Sequence, residues 1–348
     1  MLDAPRIGGL RSGPLDTIAD VAGVQVGHCT LAQGSIQTGV TVLRTHGHDP
    51  FMHKTPAGLA VINGFGKSMG LVQVQELGVL ESPIALTNTF AVGSVATAIT
   101  RQAVAHNPGI GRGLPTVNPL VLECNDGYLN DLQAFAVDEA HFLQAYAACS
   151  PQFAQGAVGA GRGMSCFQLK GGIGSASRIA ATTAGPFTVG ALVLANFGRL
   201  EALTLAGCRI GPLLVQRLRA GPAAPELGSI IMLLATDAPL DARQLRRLAV
   251  RAGAGLARTG SDFGHGSGDI ALAFSTAYTV PQQDAGLLRA QPLLHEGAMD
   301  GLFEAAAQAT EQAIMHALFE AKAVLGQEGR VREAIKDIAP DWRALISH

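Results

Sequence analysis

The sequence predicts a layered α/β domain, with helices outside and either two sheets or one large sheet within. Three observations carry that expectation. Several short β-branched segments are apolar at every position instead of at alternate ones, so both strand faces are buried. Longer segments between groups of them carry apolar residues at three- and four-residue spacing, the stripe of a packed helix. The composition is rich in glycine and poor in charge: 43 of 348 residues are Gly, 48% are hydrophobic and only 15% are charged. Ordinary soluble domains carry ~25% charged residues. Such a chain buries a large core, and intrinsic disorder is excluded as its main state.

Taken in order, the strands are Gly39 to Leu43, Leu59 to Ile62, Pro83 to Leu86, Leu120 to Leu122, Thr188 to Ala195, Ser229 to Ala235 and Ile270 to Phe274. Each is short, apolar and bounded by Gly, Pro or polar residues. The helices are Ser68 to Leu77, Val92 to Ala105, Leu129 to Ala148, Asp241 to Ala257 and Leu302 to Leu325. Pro239 and Asp241 start the fourth well, because an aspartate there caps the first free amides. The one soft stretch, Ala220 to Leu227, reads as a surface loop. No linker, charge run or internal repeat divides the chain, so residues 1–348 read as one domain although length alone suggests about two.

Composition also excludes partners. The 25 Lys and Arg against 27 Asp and Glu leave a formal charge of −2, with no footprint for nucleic acid. No basic amphipathic helix points to a membrane surface, and runs such as Ile230 to Ala235 stop well short of the ~20 residues of a membrane span. The start of the chain lacks a basic, then apolar, signal peptide. Five scattered cysteines with no C-x-x-C read as reduced thiols, and the expected location is the cytoplasm.

Several motifs are weighed against plainer readings. Val61 to Ser68 ends in Gly66-Lys67-Ser68 like a phosphate loop but has Val61 where the pattern needs glycine, which favours a tight strand-to-helix turn. His46, His48, Asp49 and His53 could ligate a metal, yet Gly47 and Pro50 make a solvated loop the better reading; no metal and no cofactor is expected. The clusters Gly156 to Gly163 and Gly171 to Gly174 lack dinucleotide order and suit close backbone packing. Neither Ser165 nor Ser267 lies in a G-x-S-x-G elbow. The Gly- and Ser-dense segment Thr259 to Asp269 has the composition of a linker but runs straight into an apolar strand. Ser267 therefore stands either in a linker or at the entrance of a cleft. Glu123 ends the run Leu120 to Leu122 and could meet a cation or cap a turn. Asn196 closes its strand and could donate into a cleft. Glu311 lies at the edge of a helical stripe.

Four pieces taken together carry a resemblance. They are Leu122-Glu-Cys-Asn-Asp-Gly-Tyr-Leu-Asn-Asp131; Gly163-Met-Ser-Cys-Phe with Lys170-Gly-Gly-Ile-Gly-Ser-Ala-Ser-Arg178; Val193-Leu-Ala-Asn-Phe-Gly198; and Ala257-Arg-Thr-Gly followed by Gly-Ser-Gly-Asp-Ile270 with Ala273-Phe-Ser-Thr276. Gly23-Val-Gln-Val-Gly-His28 and Leu86-Thr-Asn-Thr89 agree. In this order they resemble the self-cleaving L-aminopeptidase/D-amidase-esterases and β-peptidyl aminopeptidases, over nearly the whole chain.

The resemblance implies a four-layer α-β-β-α sandwich of the N-terminal-nucleophile type, made as a precursor that cuts its own Gly266–Ser267 bond into fragments 1–266 and 267–348. It implies a serine aminopeptidase acting on short peptides, amides or esters, with Ser267 as nucleophile, Asn196 as oxyanion donor, Glu123 holding the substrate ammonium and Glu311 orienting the new terminal amine. Relatives carry a serine two residues before that glutamate, where this chain has Ala309; Thr310 supplies the hydroxyl or the position is unfilled. Cys124, next to Glu123, is a second position where relatives vary. The resemblance also implies a homo-oligomer, a tetramer by preference. Two other functions share the layout: acyl transfer between amines, and an uncleaved, non-enzymatic relative that binds small amines.

Overall fold

The structure, a computed structural model, describes residues 3–218, 228–283, 286–287 and 290–347. The expected loop Ala220 to Leu227 lies outside the described residues. Strands β1 (Gln25–Gln33), β2 (Ile36–Arg44) and β3 (His53–Gly64) come first, then helix α1 (Leu71–Leu77), strand β4 (Ile84–Asn88), helix α2 (Val92–His106) and strand β5 (Leu120–Cys124). Helix α3 (Glu139–Ala147), strands β6 (Gly172–Thr182) and β7 (Gly185–Asn196), and helix α4 (Gly211–Leu218) follow. Strand β8 (Ser229–Thr236), helix α5 (Ala242–Arg258), strand β9 (Gly268–Ser275) and helix α6 (Asp300–Phe319) complete the frame.

These strands make two main sheets. The smaller has the order β1-β2-β4-β5, and the larger runs β3-β9-β8-β7-β6, with Val280–Pro281 on the outer edge of β3. Each contains one parallel pair, β4 with β5 and β8 with β9. A parallel pair needs a crossover, and α2 and α5 supply them. Helices α2 and α3 pack on the smaller sheet, while α5 and α6 pack on the larger one and on each other.

Strand alternation explains the continuous apolar runs. In β8, Ile231 and Leu233 join a cluster shared with Leu43, Leu86 and Leu122 of the smaller sheet. Ile230, Met232 and Leu234 of the same strand join Leu248, Ile314 and Leu318 under α5 and α6. A third cluster, with Val40, Val121, Ile99 and Phe142, lies between the smaller sheet and its helices. Both faces of the larger sheet are covered, so its central strands are apolar on both faces, while the buried Ser175 and Ser177 of β6 each accept a backbone amide, from Ile18 and Gly13.

The elements differ from expectation at α3, α6, β1 and β6, and helix α4 is additional to those expected. Only Glu139–Ala147 of the segment Leu129 to Ala148 is α-helical, with a single 3-10 turn at Leu132–Ala134 before it, because Asp138 is extended and caps the helix with a reciprocal His141 bond. Helix α6 ends at Phe319, and Val324–Leu325 pairs instead with Val331–Arg332. It is also buried on every side from Ala305 to Phe319, since the N-terminal segment covers what periodicity leaves outward: the Ile7 amide donates to Gln312 Oε1 at 2.8 Å and the Leu10 amide to Gln308 Oε1 at 3.1 Å. Strands β1 and β6 escape sequence patterning because Gly27, His28 and Thr30 interrupt the first and Gly and Ser the second. Among the described residues, no helix is long and apolar enough to cross a membrane.

The glycines of β6 do pack closely. A Cβ on Gly174 would stand 1.9 Å from the Ala313 carbonyl oxygen of α6, and one on Gly172, at φ +144, would stand 2.1 Å from the Gly156 oxygen. Gly174→Val is therefore expected to push α6 off the sheet and cost about 3 kcal/mol or more. Denaturant melting of the purified variant checks this; an unchanged midpoint contradicts the packing.

Candidate active site

The polar ends of four neighbouring strands meet at one edge of the larger sheet. Asn196 at the end of β7 pairs with Ser229 at the start of β8. Asp269 of β9 lies beside Ile230 of β8 on one side and opposite Asn63 of β3 on the other. The β3–β9 register shifts between Asp269 and Ile270. Such irregularities re-aim side chains at the rims of sheets.

Ser267 immediately precedes β9 and is fully buried. The Gly- and Ser-dense segment is thus no surface linker where it reaches this residue. The Ser267 amide donates to the Gly264 oxygen at 2.9 Å, closing a tight turn across Gly264–His265–Gly266–Ser267. Phe263, just before it, adopts φ +53, a left-handed conformation that costs a bulky residue energy. The Asn63 side-chain amide donates to the Gly264 oxygen at 2.8 Å and to the Ser267 oxygen at 2.5 Å, holding both ends of the turn. The Gly268 amide donates to Ser229 Oγ at 3.0 Å. The Ser267 hydroxyl donates to Asp269 Oδ1 at 2.6 Å, a distance typical of a hydroxyl on a carboxylate.

Glu123 reaches the same place from the other sheet. It is 2% exposed. Its Oε1 accepts the Lys67 backbone amide at 2.8 Å, and its Oε2 accepts the Thr89 hydroxyl. The loop that resembles a phosphate cradle is therefore a turn that presents an amide to this carboxylate. A Cβ on Gly66 would lie 3.7 Å from Glu123 Oε1 and 4.0 Å from the Cα of Gly268, so the carboxylate and the residue after Ser267 flank one glycine. Lys67 does not neutralise Glu123; its ammonium sits 4.2 Å from the centre of the Phe65 ring. Among the described residues no cation pairs with Glu123, which leaves a buried anion suited to a ligand's ammonium.

Asn196 links the two sheets. Its Oδ1 accepts the Ser165 amide at 2.8 Å and its Nδ2 donates to the Asn125 oxygen at 2.9 Å. The second hydrogen of that Nδ2 is chemically available for a further acceptor. Cys124 lies beside the site as a thiol: burial first, then the charges of Glu123 and Asp269, push its pKa well up. Asp126 is also held toward its neutral form, pushed up to about 7 chiefly by burial.

Glu311 has different contacts. It is buried on α6 and faces Arg258 of α5 at 3.7 Å. Burial raises its pKa, and Arg258 and then Arg178 partly oppose that. No hydrogen bond joins it to Ser267 among the described residues. Thr310 turns its hydroxyl back onto the Ala306 oxygen of its own helix at 2.8 Å. The rings of His46 and His48, and of His48 and His53, lie 5.6 and 5.3 Å apart, tilted by 51° and 49°. His53 already belongs to β3, and the described residues contain no group of three or more His, Cys, Asp or Glu placed to hold a metal.

Sequence reasoning passed over Asn63, Thr89, Ser229 and Asp269. Asn63 carried a usable signal, since it closes an apolar strand just as Asn196 does. Ser229 and Asp269 each stand at the head of one.

With this geometry in view, comparison with known proteins is decisive. The model of peptidase family S58 matches residues 16–332. The chain belongs to peptidase family S58. The β-peptidyl aminopeptidase BapA of Sphingosinicella microcystinivorans is 38% identical over 344 residues, covering 92% of this chain and 85% of that protein. The PH0078 protein of Pyrococcus horikoshii OT3 superposes with a TM-score of 0.92 at 43% identity, over 98% of this chain and 96% of that one. The L-aminopeptidase D-Ala-esterase/amidase of Ochrobactrum anthropi, described as a prototype serine aminopeptidase and a new variant of the Ntn hydrolase fold, superposes with a TM-score of 0.88 at 31% identity, over 98% of both chains. This S58 chain is accordingly a hydrolase of the serine aminopeptidase class, a mixed α/β protein resembling that Ntn variant.

Proposed function

We propose that this S58 peptidase cuts its own Gly266–Ser267 bond and then uses Ser267, as a new N-terminal residue, to release N-terminal amino residues, β-amino residues included, from short peptides, amides or esters. The single observation that carries this reading is the buried Ser267 hydroxyl at the head of β9, directly before the residue that shares Gly66 with the buried anion Glu123. The layers then read as a four-layer α-β-β-α sandwich forming one catalytic domain, residues 1–348, processed into 1–266 and 267–348.

The chemistry follows from the groups present. A free α-amine has a pKa near ~8 and serves as base for a hydroxyl on the same residue. The activated Ser267 Oγ attacks the substrate carbonyl, the leaving amine departs with a proton, and water releases the acyl group from the serine ester. Asn196 Nδ2 donates to the oxyanion that forms, and Glu123 binds the substrate's α-ammonium. Glu311 orients the new terminal amine. Burial raises its pKa above the ordinary carboxylate range, and Arg258 at 3.7 Å gives it a cationic neighbour that opposes part of that rise.

The likeness to a β-peptidyl aminopeptidase supports β-amino residues at the cleaved position. We propose a cytoplasmic homo-oligomer, a tetramer by family resemblance; Phe65 at 52% and Val72 at 83% exposure are apolar surface that a subunit contact would cover.

Denaturing mass spectrometry tests the core of the proposal. Two fragments meeting at Gly266 and Ser267 are expected, together with release of the N-terminal residue from a short β-peptide. A single full-length species after prolonged incubation contradicts it.

A further inference from the structure

The α-amine that serves as base in the finished enzyme does not exist before the chain is cut, because that nitrogen is still the Gly266–Ser267 amide. Self-cleavage therefore needs another proton acceptor, and the inference below rests on the self-cleavage proposed above. Three groups are candidates by position. His265 is exposed, with its ring 6.0 Å from that of Phe65, and makes no hydrogen bond to Ser267. Glu311 pairs with Arg258. Asp269 alone of the three touches the reacting atom, with Oδ1 2.6 Å from Ser267 Oγ.

We infer that Asp269 is the catalytic base of self-cleavage, distinct from the amine that serves the mature peptidase. The Ser267 Oγ reaches the Gly266 carbonyl carbon through a five-membered ring of its own atoms, so no other residue has to deliver it. What the step needs from outside is a proton acceptor and a restrained turn. Asp269 accepts the hydroxyl proton as the Oγ–C bond forms. The Gly266 C–N bond then breaks, and the same proton passes to the departing nitrogen, which becomes the Ser267 α-amine. Water adds across the resulting ester, returning the hydroxyl to Ser267 and leaving a carboxylate on Gly266. Asn63 restrains the turn through the Gly264 and Ser267 oxygens while the peptide between them reacts. The register shift after Asp269 lies where the carboxylate meets the hydroxyl two residues before it.

The test compares the full-length chain with Asp269→Asn, Ser267→Cys and the double variant, following cleavage by denaturing mass spectrometry. Asparagine keeps the size of the side chain but is a poor proton acceptor, and general-base assistance is worth about 10²–10⁴-fold. Asp269→Asn is expected to cleave at least about 100-fold more slowly than the wild type. A cysteine thiol, with a pKa near ~8.5, ionises without help. The double variant is therefore expected to cleave at about the rate of Ser267→Cys alone, an outcome that a merely structural role for Asp269 would not produce. Wild-type-like cleavage by Asp269→Asn overturns the inference and leaves the proposed function standing. So does failure of the double variant where Ser267→Cys succeeds. A wild type that never cleaves overturns both.

Discussion

Ser267→Ala is expected to yield an intact, folded chain without peptidase activity. Alanine has no atom to attack the Gly266 carbonyl, so the bond stays closed and no terminal amine is made. Removing the nucleophile of a serine peptidase costs on the order of 10⁶-fold in turnover. The fold should survive. The lost hydroxyl withdraws one hydrogen bond from Asp269, about 1–3 kcal/mol where the partner is buried, against about 5–15 kcal/mol for a whole domain. Denaturing mass spectrometry reads the first effect, release of an N-terminal residue reads the second, and circular dichroism reads the fold. Activity surviving in this variant would sink the proposed mechanism.

Glu123→Gln carries the second large effect, and it separates binding of the ammonium from the chemistry. Glutamine can still accept the Lys67 amide, and the Thr89 hydroxyl can reverse to accept from its NH₂, so local structure should hold. What disappears is the negative charge. A buried ammonium left without its partner costs about 2–5 kcal/mol, which is about 30- to several-thousand-fold in kcat/KM. Substrates with a free N-terminal amine should lose that factor, and esters or amides without the amine should change little. Equal losses on both classes would remove Glu123 from ammonium binding and make it a structural cap of the Lys67 turn.

Much of this site could be read from residue order alone, and for local reasons. Strand ends are legible because apolar runs stop abruptly at polar residues, as at Glu123, Asn196 and Ser267. Helix α5 was legible to within a residue because Asp241 caps it. Helix α6 was legible as a helix but not as a buried one, since the segment that covers it lies about 300 residues away in the chain. Helix α3 was overextended because apolar spacing in Leu129 to Ala148 does not register the reciprocal Asp138–His141 cap.

Residue order by itself determined most of the elements, the burial of the central strands on both faces and the chemical inventory: a serine between glycines before a strand, a carboxylate and an amide at two other strand ends. These depend on local spacing and side-chain chemistry. Tertiary structure decided which of those groups meet. Asn63 reaches the Ser267 turn from 204 positions earlier only because β3 lies antiparallel to β9. Glu123 approaches Gly268 only because the two sheets pack face to face through the cluster of Leu43, Leu122 and Ile231. Strand pairing and sheet packing are settled by nonlocal burial, which no window of sequence contains.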